Sequence, residues 1–226
     1  MKSVLVVVAH PDDAEISMGM RIRWYAEQGA RVRVHCLTTG AAEADGTRPR
    51  RDECLSAGAV LMVDEYTFSD IPDTRFVEHR GRINADLFAV FDEARPDVVY
   101  THHPQDQHLD HAVTGDEVTA VALREAMGLC YFRSPYSTGF EPTMFFVGAR
   151  ELMDAKVKAL ESFTSQRQLD MDVFRQLGAV AHRQHVHHRV VERFGEEAAY
   201  CEMFRVHRSI EFGGAPPGVA PDVRRA

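Results

Sequence analysis

The chain has 226 residues, 45% of them hydrophobic, and its 34 acidic side chains outnumber its 26 Lys and Arg side chains, which gives a formal net charge of −8. This length and apolar content favour one domain with a substantial core, and the acidic balance argues against nucleic acid or an anionic membrane as the main partner. The apolar N-terminal run is too short to cross a membrane and carries no convincing signal-peptide cleavage site, so we expect no membrane insertion.

The predicted elements alternate between strands and helices, which is typical of α/β proteins. Strands are predicted over residues 3–9, 31–38, 64–68, 97–101, 130–133 and 144–147. Helices are predicted over residues 15–28, 50–61, 79–94, 112–127 and 149–163. We expect a single domain over residues 1–212, followed by a tail over 213–226 that is rich in Gly, Pro and Ala and mobile.

The first predicted strand ends abruptly in His10, Pro11, Asp12 and Asp13. Pro11 cannot donate a ladder hydrogen bond, so the strand should end at about this residue. One imidazole and two carboxylates therefore stand at the carboxyl end of a buried strand, where open α/β sheets bind their ligands. Desolvating these groups is costly unless a cation or a reaction partner compensates. By itself, the motif also fits a loop with an Asp-rich helix cap.

A second polar cluster follows the strand predicted over 97–101 and contains His103, Asp106, His108, Asp110 and His111. By itself, this cluster also fits a solvated, His-rich loop. Two such clusters at equivalent strand ends favour a metal ion held between neighbouring strands. Zinc accepts imidazole and carboxylate ligands, and a catalytic zinc keeps a fourth position for water or substrate. His10, Asp13 and His111 would give a set of this kind.

The two clusters together resemble the paired motifs of the LmbE-like, or PIG-L, family of zinc-dependent N-deacetylases. The residues that carry the resemblance are AHPDDAE at 9–15 and HPQDQHLDH at 103–111, and supporting matches extend it over roughly residues 3 to 205. The resemblance implies an α/β protein with a three-layer, Rossmann-like fold. Its sheet would be mostly parallel, with the active site at the carboxyl ends of the strands.

The resemblance also implies roles for individual residues. His10, Asp13 and His111 would bind Zn²⁺, although ligand type alone also admits Fe²⁺ or another divalent ion. Asp12 would be the general base. His108 would stabilise the tetrahedral oxyanion or protonate the departing amine, and Asp110 would orient His108. Whether His108 or protonated Asp12 gives a proton to the departing amine stays open.

Four residues are expected on the substrate side. Arg50 matches an arginine that looks substrate-facing in relatives, and an ordinary surface arginine is the alternative. Asp106 stands where some thiol-sugar branches of the family have a tyrosine. His185 and His188 belong to a second histidine cluster, with His182 and His187, for which a solvated surface or a second metal site is also open.

The expected function is a hydrolase that removes an N-acetyl or other N-acyl group from an amino sugar or an amino-sugar glycoside, with specialised metabolite biosynthesis as one setting. The alternatives are an amidase acting on a larger conjugate, such as a thiol sugar, and a non-catalytic, metal-dependent sugar-binding module. A nucleotide-binding Rossmann enzyme is disfavoured, because Pro-Asp-Asp replaces the Gly-rich turn and carboxylates repel phosphate. A small-molecule substrate is expected, and a homo-oligomer is compatible with the family.

The four cysteines, Cys36, Cys54, Cys130 and Cys201, are widely spaced and form no paired zinc-binding pattern. Reduced thiols are the simplest interpretation, and they favour a cytoplasmic location.

Overall fold

The computed structural model describes residues 2–40, 50–194 and 198–211. Residues 41–49, between the second predicted strand and the helix predicted from residue 50, and the tail predicted to be mobile from residue 213 lie outside these ranges. In the described part of the chain, no helix combines the length and the apolar character that crossing a membrane requires.

Strands and helices alternate along most of the chain, as predicted. The strands are β1 (Ser3–Val8), β2 (Arg31–Cys36), β3 (Glu65–Phe68), β4 (Val98–His102), β5 (Gly128–Phe132), β6 (Met144–Ala149) and β7 (Ala198–Ser209). The helices are α1 (Asp13–Glu27), α2 (Arg51–Leu61), α3 (Arg80–Ala94), α4 (Leu109–Glu125), α5 (Arg150–Leu160), α6 (Met171–His185) and α7 (His188–Phe194). A short 3-10 helix (Phe76–His79) precedes α3.

The seven strands form one sheet in the order β3-β2-β1-β4-β5-β7-β6. The first five strands in this order run parallel to one another, and β7 is antiparallel to both β5 and β6. Helices cover both faces, which explains why the central strand β1 is apolar from Val4 to Val8. Val4, Val6 and Val8 pack into one core, and Leu5 and Val7 pack into the other. The predicted mostly parallel α/β fold is confirmed.

The elements α6, α7 and β7 were not predicted. The strand β7 lies inside the sheet, between β5 and β6, although Arg205, His207 and Arg208 interrupt the apolar run in its second half. The helix α4 begins three residues before its predicted start at 112, so Asp110 and His111 lie in its first turn.

The helix α1 is broken at Met18, whose φ of −148° is not helical. Beyond the break, the Glu202 carboxylate of β7 accepts hydrogen bonds from the backbone N–H groups of Met20 (3.0 Å) and Arg21 (2.9 Å). Glu202 thereby caps the second half of α1, whose first N–H groups would otherwise lack acceptors. The Lys156 ammonium lies 2.8 Å from the same carboxylate and balances its charge.

Replacing Lys156 by Met should lower the free energy of unfolding by about 3–5 kcal/mol, because Glu202 would become a buried charge without its cation. Lys156 and Glu202 are both 5% exposed, so water cannot replace the ammonium easily. Lys158→Met removes the same charge from an exposed position of the same helix, and it should cost less than about 0.5 kcal/mol. Urea denaturation of metal-stripped protein measures both values. A loss below about 1 kcal/mol for Lys156→Met would contradict the assigned cap.

Candidate active site

The candidate site lies where the carboxyl ends of four parallel strands meet. In the sheet register, Val8 at the end of β1 pairs with Cys36, Cys36 pairs with Phe68, and His102 pairs with Phe132. The loops that follow β1, β3, β4 and β5 therefore leave the sheet at the same edge. This edge is where open α/β sheets bind their ligands, and the two polar sequence motifs meet there.

His10, Asp13 and His111 form a compact set of donor atoms. His10 Nδ1 lies 3.5 Å from Asp13 Oδ2 and 3.2 Å from His111 Nε2, and Asp13 Oδ1 lies 3.4 Å from His111 Nε2. A tetrahedral ion with ligands about 2.0–2.2 Å away would hold them roughly 3.3–3.6 Å from one another. All three residues are at most 8% exposed. Their spacing and chemistry therefore fit a zinc-like ion.

A carboxylate lies behind each imidazole of this set. Asp110 Oδ2 is 3.2 Å from His10 Nε2, and Asp106 Oδ1 is 3.5 Å from His111 Nδ1. Carboxylates in this position fix the tautomer of a metal-binding imidazole, which leaves the other ring nitrogen free to coordinate. Both histidines are thus arranged to present their facing nitrogens, Nδ1 of His10 and Nε2 of His111, to an ion.

Asp110 has different contacts from those expected. Its carboxylate lies against His10 and accepts hydrogen bonds from the backbone N–H groups of Thr74 (2.8 Å) and Phe76 (3.3 Å). Within the described residues it makes no hydrogen bond to His108, whose Nδ1 is buried and has no hydrogen-bond partner. In this structure Asp110 is therefore placed to orient His10 rather than His108.

The pKa values of the two imidazoles indicate that the cluster favours positive charge. Burial opposes protonation, but the Asp13 and Asp106 carboxylates outweigh it and raise the pKa of His111 to about 9. Burial is likewise outweighed at His10, where three neighbouring carboxylates raise the pKa well above its usual value. Protons on the imidazoles supply the positive charge that buried carboxylates require. A bound cation would supply the same charge.

Asp12 is buried beside the donor set, but its carboxylate faces a different partner. Its Oδ2 lies 3.2 Å from Arg50 Nη1, and the same guanidinium nitrogen donates to the carbonyl of Pro11 at 3.1 Å. Burial and the charge of Asp13 raise the pKa of Asp12 to about 7, although Arg50 lowers it. Asp12 has a φ of 97°, a left-handed conformation that costs energy at a non-glycine residue and often marks functional sites.

Arg50 reaches Asp12 past Gly40, which has a φ of +78°. A Cβ atom at residue 40 would lie 2.6 Å from Arg50 Nε, so a glycine is required for this close approach. The Arg50 side chain is only 11% exposed. Its observed contact is with Asp12, and it is not an ordinary surface arginine.

His108 stands over the donor set. Its ring stacks on His111, with centroids 4.5 Å apart and planes at 20°, and meets the edge of His10 at 4.8 Å. Burial lowers the pKa of His108. A nitrogen of His108 is close enough to His10 and His111 for these three to form a second possible donor set.

Two residues that the sequence analysis missed also contact the site. Asp73, in the loop after β3, has Oδ1 3.2 Å from His10 Nε2. His102, the last residue of β4, is completely buried, and its Nε2 lies 3.1 Å from the Ala9 backbone nitrogen and 3.2 Å from Asp13 Oδ2. A single nitrogen cannot accept from Ala9 and donate to Asp13 at once. Asp73 follows a parallel strand and His102 ends one. Position at the carboxyl end of a strand, which identified the two motifs, could also have identified these two residues.

Asp106, expected on the substrate side, has a side chain with no exposed surface. Its carboxylate accepts hydrogen bonds from the hydroxyls of Ser134 (2.5 Å) and Ser137 (2.9 Å) and from the backbone N–H of His108 (2.9 Å). Asp106 therefore ties the second motif to the loop after β5 and is not free to face a substrate.

His185 and His188 are not brought to the site. Both are exposed; His185 stacks on Phe145 at 4.9 Å, and His188 contacts His187 at 4.1 Å. Among the described residues, no possible donor set includes His182 or any other member of the second histidine cluster.

Comparison with known proteins connects the chain with deacetylases. The family model of PIG-L, GlcNAc-PI de-N-acetylase, matches residues 5–122. An uncharacterized deacetylase of Escherichia coli strain K12, YaiS, is 28% identical over 170 residues, which are 73% of this chain and 91% of that protein. The 1D-myo-inositol 2-acetamido-2-deoxy-alpha-D-glucopyranoside deacetylase of Saccharomonospora viridis is 31% identical over 160 residues. That match covers 56% of this chain and 59% of the relative, less than two thirds of its length.

Solved structures with the same fold include several deacetylases. They also include the 4-carboxy-2-hydroxymuconate hydratase GalB of Pseudomonas putida KT2440, which aligns with a TM-score of 0.74 at 20% identity and covers 96% of this chain and 100% of that chain. Identity at this level establishes a shared fold alone. The fold by itself therefore leaves the reaction open.

Removing His111 should abolish stoichiometric zinc binding, because His111 belongs to both the set with His10 and Asp13 and the set with His10 and His108. His108→Ala is the matched control and should retain one zinc ion. Metal content after stripping and equilibrium dialysis against zinc measures both. Loss of zinc from His108→Ala would assign the ion to the second set. A full zinc ion in His111→Ala would contradict every set that contains His111, including a further one with Asp13 and His102, and would point to His10, Asp73 and Asp110.

Proposed function

The chain belongs to the PIG-L family of GlcNAc-PI de-N-acetylases, and from this premise we propose that it is a metal-dependent hydrolase that removes the acetyl group from an N-acetylated amino sugar or a glycoside carrying one. The observation that carries the proposal is the convergence of His10, Asp13 and His111, with the buried carboxylate of Asp12 beside them. His10, Asp13 and His111 could bind an electrophilic ion, while Asp12 is left free to act as a base.

We assign His10 Nδ1, an Asp13 oxygen and His111 Nε2 as the ligands, with Zn²⁺ as the preferred ion and Fe²⁺ as the alternative. When bound, such an ion lowers the pKa of a water molecule to about 7 and polarises a carbonyl oxygen. The contacts of Asp110 with His10 and of Asp106 with His111 support this assignment, since each carboxylate would keep the remaining N–H on the far side of the ring once an ion replaced the other proton.

Asp12 is the proposed general base. As the water oxygen bonds to the amide carbonyl carbon, a water proton passes to the Asp12 carboxylate. Without a bound ion, burial and the charge of Asp13 raise the pKa of Asp12 to about 7. Arg50, 3.2 Å away, lowers that pKa, and a bound cation would lower it further, so the carboxylate would be ionised and able to accept the proton. We also propose that Arg50 contacts the substrate.

We propose that His108 stabilises the developing oxyanion or protonates the amine nitrogen. Its ring lies against those of His10 and His111, so an N–H of His108 is close enough to donate to a developing oxyanion or to the amine nitrogen. Cleavage of the C–N bond requires a proton on that nitrogen, supplied by His108 or by protonated Asp12, and yields acetate and the free amine.

An amidase acting on a larger conjugate would use the same residues and is the main alternative. The non-catalytic sugar-binding module is disfavoured, because it gives no role to a strained Asp12 with a raised pKa. The contacts of Asp106, His185 and His188 lend no support to their expected substrate contacts. We also propose a cytoplasmic location, which the four buried, unpaired cysteines support.

The function is tested by measuring free amine released from N-acetylglucosamine and from N-acetylated amino-sugar glycosides. Metal-stripped protein and zinc-restored protein are compared side by side. We expect release from at least one substrate, dependent on zinc. Stoichiometric zinc without release from any of these sugars would overturn the proposal in favour of a larger conjugate or a binding role.

Asp12→Asn should retain one zinc ion and lose about 100-fold or more of the turnover, because the amide cannot accept the water proton. Asp70→Asn is the control; this exposed residue lies in the loop after β3 and also has a positive φ, of 50°. It should keep turnover within about twofold. Zinc content and initial rates are measured on the same preparations. An Asp12→Asn protein that binds no zinc would show that Asp12 is a ligand.

A further inference from the structure

The loop after β5 is fastened to the second motif. The hydroxyls of Ser134 and Ser137 donate to the buried carboxylate of Asp106, and the backbone N–H of Ser134 donates to the Ser137 hydroxyl at 3.0 Å. The backbone N–H of Gln107 also donates to the carbonyl of Tyr136 at 3.1 Å. Charge-assisted hydrogen bonds of this kind are among the stronger ones in proteins, so the backbone of the loop is well fixed.

Tyr136 projects from this fixed loop. Its backbone N–H donates to the Ser134 hydroxyl at 3.0 Å, so both of its backbone polar groups are engaged. Its side chain is 54% exposed, and its hydroxyl makes no hydrogen bond with any residue in the described ranges. Because the backbone of Tyr136 is already fixed, a ligand that contacts its ring would have to order the side chain alone.

The ring of Tyr136 lies beside the proposed catalytic histidine. Its centroid is 6.0 Å from that of His108 and 6.4 Å from that of His111. The exposed ring of Tyr136 is therefore placed to contact a substrate on which His108 acts.

We infer that Tyr136 binds the sugar part of the substrate by stacking its ring on the C–H face of the pyranose. This inference rests on the proposed function. In its proposed role as donor to the amine nitrogen, His108 lies next to the sugar that is attached to that nitrogen. A group adjacent to His108 is therefore placed to contact the leaving sugar. The fixed loop makes Tyr136 a determinant of which sugars are accepted.

The test compares Tyr136→Phe, Tyr136→Leu and Tyr136→Ala with the wild-type protein. For a sugar that the wild type deacetylates, Tyr136→Ala and Tyr136→Leu should raise KM about tenfold and leave kcat within about threefold, because the ring binds ground state and transition state alike. Tyr136→Phe keeps the ring and should stay within about twofold. The inhibition constant of the free amino sugar product should rise by the same factor as KM.

Phe88→Leu is the matched control, because Phe88 is a 37% exposed aromatic residue on α3. It should leave KM unchanged. Ser137→Ala removes one fastening of the loop and keeps Tyr136; it should raise KM by a smaller factor than Tyr136→Ala. Zinc content and melting temperature, measured for every variant, separate this effect from loss of the metal or of the fold.

Several outcomes would overturn the inference. The first is a KM and a product inhibition constant within twofold of wild type in Tyr136→Ala. The second is a loss of activity confined to kcat. The third is a loss of activity that depends on acyl length when N-acetyl and N-butyryl substrates of one sugar are compared. Calorimetric titration of zinc-loaded wild type and Tyr136→Ala with N-acetylglucosamine and N-acetylated glycosides separates this inference from the proposed function. Binding without turnover, weakened in Tyr136→Ala, would overturn the proposed function alone. No binding and no turnover by the wild type would overturn both.

Discussion

The buried carboxylates at the carboxyl edge of the sheet are the constraint on which the rest of the site depends. Asp12, Asp13 and Asp110 are each at most 8% exposed, and burying their charges without compensation would cost several kcal/mol per ion. Protonated His10 and His111 provide that compensation when no cation is bound, as the raised pKa values of both imidazoles show. The cluster therefore balances its charge with protons on His10 and His111, and binding of a cation would release those protons.

The sheet keeps these charges in position. The strands β1 and β4 are neighbours, so their final residues bring both motifs to one place without long loops. The first motif also begins α1, and α1 is held at its break by Glu202 and Lys156. A strand from the end of the chain thus supports the helix that carries Asp13. This connection gives β7 a structural role that its position far along the sequence does not suggest.

The sequence was sufficient to predict the fold class and the two motifs that meet at the sheet edge, but not Asp73 and His102 beside them. Apolar runs ending in His and Asp mark parallel strands, and parallel strands bring their carboxyl ends together. The pairing of side chains was not predictable in the same way. Asp110 contacts His10 rather than His108, because the choice depends on the start of α4 and on the loop that supplies Thr74. Asp73 was missed because its loop carries no histidine.

The residue two positions before His108 connects the second motif to the loop after β5. Some thiol-sugar branches of the family have a tyrosine there, whereas this chain has Asp106. The carboxylate cannot offer an aromatic surface, but it binds Ser134 and Ser137 and so fixes the loop that presents Tyr136. The aromatic group beside His108 is then Tyr136, from the loop after β5 rather than from the second motif. Asp106 thus connects the two segments: it lies 3.5 Å from His111 on one side and holds the loop that carries Tyr136 on the other.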